Sequence, residues 1–144
     1  MSNHIYEHKV QYYETDQMGI VHHSNYIRWF EEARVDVLDQ AGIGYKKMEE
    51  EGIISPVLEV QVTYKTMTHF GETVQVSMTI PKYNGVILEI KYEVKDKETK
   101  ETRCTGYSRH CFLDRQGKPI SLKKKYAEID QKMRMLESEK KEEQ

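Results

Sequence analysis

Through the middle of the chain, apolar and polar residues alternate in three successive runs. Leu58, Val60, Val62 and Tyr64 form the first, Val74, Val76, Met78 and Ile80 the second, and Leu88, Ile90, Tyr92 and Val94 the third. Successive side chains of a strand point to opposite faces, so this two-residue period predicts strands with one packed and one wet face. Asn84-Gly85, between the second and third runs, is a hairpin turn signal. Lys97-Glu98-Thr99-Lys100 turns the chain again, into a strand from about Glu101 to Leu113 that Gln116-Gly117 and Pro119 close. Near the start, His4 to Tyr13 reads as a further strand with broken alternation, Ile5, Val10 and Tyr12 being its apolar members.

Between these strands the period becomes helical. Tyr26, Ile27, Trp29, Phe30, Ala33, Val37, Leu38 and Ala41 cover more than a narrow stripe, which predicts a helix over Asn25 to Gln40 wrapped on most sides. Ser24 is expected to cap it, and Gly42 to end it in the left-handed conformation. A short amphipathic turn follows, around Tyr45 to Glu51. From Leu122 the chain is charge-rich, with Tyr126, Ile129, Met133 and Leu136 on one helical face. That spacing predicts a peripheral helix fraying after Glu137, with too few heptads for a coiled coil.

The order is strand, long apolar helix, four antiparallel strands. The helix is the only large apolar object on which the strands can pack. The expected class is α+β: a curved antiparallel sheet of about five strands wrapped around a central helix, with a C-terminal helix added. The 144 residues suffice for one buried core and are too few for two ordinary domains. No repeat or linker interrupts them, so residues 1–120 are read as the domain and 121–144 as a helical extension.

A formal net charge of -2 with both signs interspersed gives no basic stripe, so nucleic acid is not an expected partner. No stretch is apolar enough to insert in a membrane, and the first residues, MSNHIYEHKV, contain no apolar targeting segment. Cys104 and Cys111 fall on one strand, about 23 Å apart if fully extended, and cannot pair there. A reduced, cytoplasmic location is the simplest expectation. No metal site is expected either: the adjacent His22 and His23 rarely direct both rings at one ion, and no Cys/His cluster accompanies them.

The chemistry-bearing stretch is residues 12–34, YYETDQMGIVHHSNYIRWFEEAR. It places one carboxylate, Asp16, just before the flexible Gly19 and then opens the apolar helix. A helix N-terminus is the positive pole of its dipole and carries N–H groups without partners. A substrate oxygen gaining negative charge can rest there while a carboxylate attacks or activates water beside it. That layout suits acyl transfer or hydrolysis. Ser108 and Cys111 show no His–Asp context in sequence, so a separate triad is not expected; His69 and His110 read as structural, Glu59 and Glu72 as solvated.

The string Asp16-x-x-Gly19-Ile20-Val21, followed by Asn25-Tyr26-x-Arg28-Trp29 and an acidic pair, closely resembles the 4-hydroxybenzoyl-CoA thioesterase family, hotdog-fold proteins that include the YbgC-type acyl-CoA thioesterases. The resemblance covers residues 1 to about 120. It implies Asp16 as catalytic nucleophile or general base, Gly19 as the turn glycine, and the backbone N–H of His23 as the group polarising the thioester carbonyl. It implies substrate contacts for Tyr26 and, where a benzoyl-specific member carries an acidic residue, for Glu31; His22 is expected to help line the site. The implied substrate is an acyl-CoA of small or medium aryl or aliphatic type, with coenzyme A part of the substrate and no separate cofactor. A homodimer pairing into a homotetramer is implied, its sites formed between subunits. The competing reading is a non-catalytic acyl-CoA binding module on the same fold.

Overall fold

The computed structural model describes residues 5–142, with side chains through residue 137. β1 (Ile5–Lys9) leads through a 3-10 turn (Tyr12–Glu14) and a loop into α1 (Ser24–Gln40) and the short α2 (Tyr45–Glu50). Then follow β2 (Val57–Tyr64), β3 (Thr73–Tyr83), β4 (Ile87–Asp96), β5 (Thr102–Cys111), α3 (Leu122–Lys125) and α4 (Ala127–Glu142). The five strands form one sheet in the order β1-β3-β4-β5-β2, every neighbouring pair antiparallel. The α+β class and the five-stranded sheet agree with the sequence pattern.

The second and third alternating runs supply the inner face of β3 and β4: Val74, Val76, Met78, Ile80, Leu88, Ile90, Tyr92 and Val94 are all buried. Val76 lies opposite Val94 and Met78 opposite Tyr92. From α1, Tyr26, Trp29, Phe30, Ala33, Val37 and Leu38 join the same core. Burying each of the larger of these side chains stabilises by about 1.5–3 kcal/mol. Phe30 lies so close over β5 that only a glycine, Gly106, fits beneath it: a Cβ there would stand 2.3 Å from the ring. Gly85 turns the β3–β4 hairpin at φ +89°, with Asn84 Oδ1 accepting from the N–H groups of Val86 and Ile87.

Three local expectations are corrected. The first strand stops at Lys9 rather than Tyr13, because Tyr12 and Tyr13 face solvent while Glu14 turns inward; His4 lies outside the described residues. Ser24 does not cap α1. His23 is already in helical conformation (φ -56°, ψ -28°), and the Ser24 hydroxyl pairs with His22 Nδ1 at 2.9 Å instead. α4 is not peripheral: Ile129, Met133 and Leu136 belong to the core, Tyr83 Oη donates to the buried Asp130, and Lys132 Nζ donates to the carbonyl of Gly42. Its backbone is helical to Glu142; the side chains beyond Glu137, where fraying is expected, lie outside the described residues.

β2 is an edge strand. Its apolar residues have the expected period, yet Leu58 is 45% exposed, Val60 39% and Tyr64 47%. Among the described residues no strand pairs with its outer edge.

Candidate active site

The loop before α1 is held by a buried carboxylate. Glu14 accepts from the Gln11 N–H (2.8 Å), His8 Nε2 (2.8 Å) and Trp29 Nε1 (2.9 Å). Burial alone would raise its pKa, but these donors outweigh burial and hold the carboxyl below its ordinary value. The Glu14 carbonyl accepts from the His22 N–H at 2.8 Å and from Asn25 Nδ2 at 3.0 Å. The loop base and the first turn of α1 therefore form one fixed unit.

Asp16 sits on that unit, two residues beyond Glu14, and is half-buried. Its Oδ1 accepts from Met18 N (2.8 Å) and Ile20 N (3.4 Å), and its own N–H donates to the Ile20 carbonyl. Gly19 closes the turn at φ +78°, a region costly for any residue with a Cβ, and donates to the Asp16 carbonyl. Asp16 thus makes the local turn bonds that an Asp in such a loop commonly makes. Oδ2 has no donor among the described residues.

At the start of α1, the His23 N–H has no acceptor among the described residues, and His23 lines a cavity of about 420 Å³. Val21, His23 and Tyr26 form one wall; Tyr64 to Met67, at the end of β2, form the other. Tyr64 Oη donates to the His23 carbonyl at 3.1 Å, and Tyr26 Oη to Thr68 Oγ1 at 2.9 Å. Burial pushes the Tyr26 phenol above its usual range, so it stays a neutral donor. His22 lies against His23 with ring centroids 4.2 Å apart and the rings tilted by 31°, but does not line the cavity.

Of the residues singled out in sequence, His23 and Tyr26 thus share one cavity. Asp16 lies outside its lining, and Glu31 lines a second, smaller cavity further along α1. Tyr64 and Met67, which close the first cavity, carried no signal beyond a strand position and a loop. The pair Ser108–His110 was also missed: Ser108 Oγ lies 2.8 Å from His110 Nε2, as a spacing of two on one strand allows. It is no triad. Burial, aided by the charge of Arg34, pushes His110 down to about 4, and its Nδ1 has no partner to orient it. Glu72 is not merely solvated, since it accepts from Arg103 at 3.2 Å. Among the described residues no group of three or more His, Cys, Asp or Glu is arranged to hold a metal ion. Cys104 and Cys111 are both free.

A five-stranded antiparallel sheet around one long helix is the hotdog architecture, and the relatives of this chain make it a thioester hydrolase of that fold. The thioesterase-like superfamily matches residues 10–136. The chain belongs to that superfamily. It is 37% identical over 119 residues to YneP of Bacillus subtilis (strain 168), which carries an acyl-CoA thioesterase name; the match spans 82% of this chain and 86% of YneP. An Aquifex aeolicus (strain VF5) protein named as an esterase is 33% identical over 87% of this chain and 95% of its own length. The crystal structure of a DHNA-CoA thioesterase from Staphylococcus aureus superposes with a TM-score of 0.89 at 33% identity, covering 97% of this chain and 94% of that one.

Proposed function

We propose that the chain hydrolyses acyl-CoA thioesters in the manner of the 4-hydroxybenzoyl-CoA thioesterase branch, with Asp16 as nucleophile or general base. The observation that carries this reading is the His23 N–H at the positive pole of α1, without an acceptor among the described residues, on a residue that lines a cavity of acyl size. The thioester carbonyl oxygen accepts from that N–H, which stabilises the negative charge developing on it. Asp16 then attacks the carbonyl carbon or takes a proton from water that does so. The leaving group is a thiolate whose conjugate acid has a pKa near ~8.5, so no strong acid is needed to release it. No cofactor beyond the coenzyme A of the substrate enters this scheme.

Because Asp16 lies outside the single-chain cavity, the site is completed between two copies. The open edge of β2, with Leu58, Val60 and Tyr64 uncovered, supports a homodimer joined there, two dimers then pairing into a tetramer. The free thiols fit a cytoplasmic setting.

Asp16→Asn tests the mechanism. Asparagine keeps the Oδ1 that accepts from Met18 and Ile20, so the melting temperature should stay within about 2 °C of the parent. Thiol release from aryl and aliphatic CoA esters should fall by about 10²–10⁴. Near-parental turnover in the variant refutes the role of Asp16. Tight CoA-ester binding by the parent without thiol release would instead establish the binding-module reading.

A further inference from the structure

Arg34 is buried, only 7% exposed. Its Nε donates to Tyr45 Oη at 2.9 Å and its Nη1 to Tyr92 Oη at 3.1 Å; Nη2 has no acceptor among the described residues. Both partners are neutral hydroxyls, and burial pushes the Tyr92 phenol above its usual range. Arg103, equally buried, shows what this chain does with an interior guanidinium: it pairs it with Asp96, Glu72 and Glu101. Among the described residues no carboxylate lies within ion-pair distance of Arg34. A buried cation without a partner is strongly disfavoured, so an unpaired one marks a place where an anion arrives from outside the chain.

The place is a cavity of about 250 Å³ between α1 and β2. Ile27, Phe30, Val57 and Val60 give it apolar walls, the buried Arg34 and Ser108 give it a polar end, and the exposed Arg28 and Glu31, of opposite charge, complete its lining. Ser108 Oγ is joined to the same network, 2.7 Å from Tyr92 Oη, so the hydroxyl and the guanidinium are held as one unit. At this volume the cavity is smaller than the ~300–1,000 Å³ of sites for drug-sized ligands, which suits an acyl group and excludes a nucleotide. It lies on the same side of α1 as the His23 cavity, both using β2 as the opposite wall. From His23 to Arg34 the helix rises about 16 Å, shortened by an arginine side chain that leans toward the N-terminus.

We propose that Arg34 and Ser108 form a receptor for a carboxylate at the far end of the acyl group, so that the favoured substrates are CoA monothioesters of aromatic or short aliphatic dicarboxylic acids. The inference rests on the thioesterase reading for the ester end of the substrate but not for the anion. Apolar walls hold the ring or methylene chain, and the guanidinium pairs with the distal carboxylate.

The test compares CoA esters of matched shape: the monothioester of terephthalic acid, 4-methylbenzoyl-CoA and 4-hydroxybenzoyl-CoA. In the parent protein kcat/KM should favour the carboxylated ester over the methyl ester by about tenfold or more. In Arg34→Met that ratio should collapse to about one, and in Arg34→Lys, which keeps the charge but loses the fork, it should fall between. Free terephthalate, which has no thioester, should raise the melting temperature of the parent and not of Arg34→Met. If no ester is cleaved but terephthalate still stabilises the parent, the thioesterase reading fails and the anion receptor stands. Absence of both the ester preference and the terephthalate shift overturns the receptor. So does a preference confined to the hydroxy ester. An unchanged ratio in Arg34→Met with an altered oligomeric mass also overturns it, since the counter-ion is then a carboxylate of a second copy. Should Arg34→Met fail to fold by circular dichroism, the Arg34→Lys ratio decides alone.

Discussion

Gly106→Ala places a methyl group where Phe30 already lies. The added Cβ would stand 2.3 Å from Phe30 Cε2 and 2.4 Å from Cζ, whereas ordinary contact begins at 3.4 Å. The ring must retreat by about 1 Å, which disturbs a tight packing: Phe30 is 1% exposed and stacked on Tyr92 with centroids 4.4 Å apart. Overpacking of this kind costs about 1–3 kcal/mol. Alanine recovers about 0.4–1 kcal/mol by restricting the unfolded chain. The net loss is then centred on about 1.3 kcal/mol and at most about 2.6 kcal/mol, a fall in melting temperature centred on about 4 °C for a domain of this size. Urea denaturation and thermal melts at fixed protein concentration measure it, a constant m-value confirming that stability alone has changed. The decisive control is the same substitution in a Phe30→Leu background, where the clash is absent and the penalty should vanish. An equal penalty in both backgrounds, or none in either, refutes the reasoning.

Glu14→Gln should destabilise by about 1.5–3 kcal/mol at neutral pH, because an amide cannot accept from Gln11, His8 and Trp29 together. A carboxyl whose pKa is lower when folded adds stability that is complete above its ordinary value of 4.5 and is lost as pH falls through the lowered one. The gap between parent and variant should therefore narrow on acidification below that point, and parallel pH profiles would contradict this. Leu58→Lys on the open edge of β2 should reduce the mass seen by light scattering toward the single-chain 17.1 kDa; a parent already at that mass removes the proposed dimer.

Much of the fold was legible because period and burial agree. Val74 to Ile80 and Leu88 to Val94 alternate in sequence and bury every second residue in space, and the apolar sweep from Tyr26 to Leu38 became the central helix. Apolarity misled where it was taken for inwardness. Tyr12 and Tyr13 are each 77% exposed, while Glu14 between strand and helix is the buried anchor. No local rule predicts a buried Glu whose donors come from residues 8, 11 and 29. Two misses did leave traces. Arg34 follows Tyr26 and Phe30 at steps of four, on the face that also carries Ala33 and Val37, and so was spaced for the interior. Ser108 and His110 share the parity that puts both on one side of β5. The relation of Asp16 to the cavity had no trace to leave, since the proposed site depends on how two copies meet.

The two ends of α1 are finished very differently. At its C-terminus Gly42 N–H returns to the Asp39 carbonyl, Ile43 and Gly44 both reach the Leu38 carbonyl, and the Lys132 ammonium rests on the carbonyl of Gly42. The Leu38 and Asp39 carbonyls there are met from within, and a cation offsets the negative pole. The opposite tip offers a donor, the His23 N–H, that is unmet among the described residues. In the proposed mechanism a bound molecule consequently meets a rod with a single receptive pole, which would give the groove a direction: the ester carbonyl would dock there and the rest of the molecule would be laid out from that point.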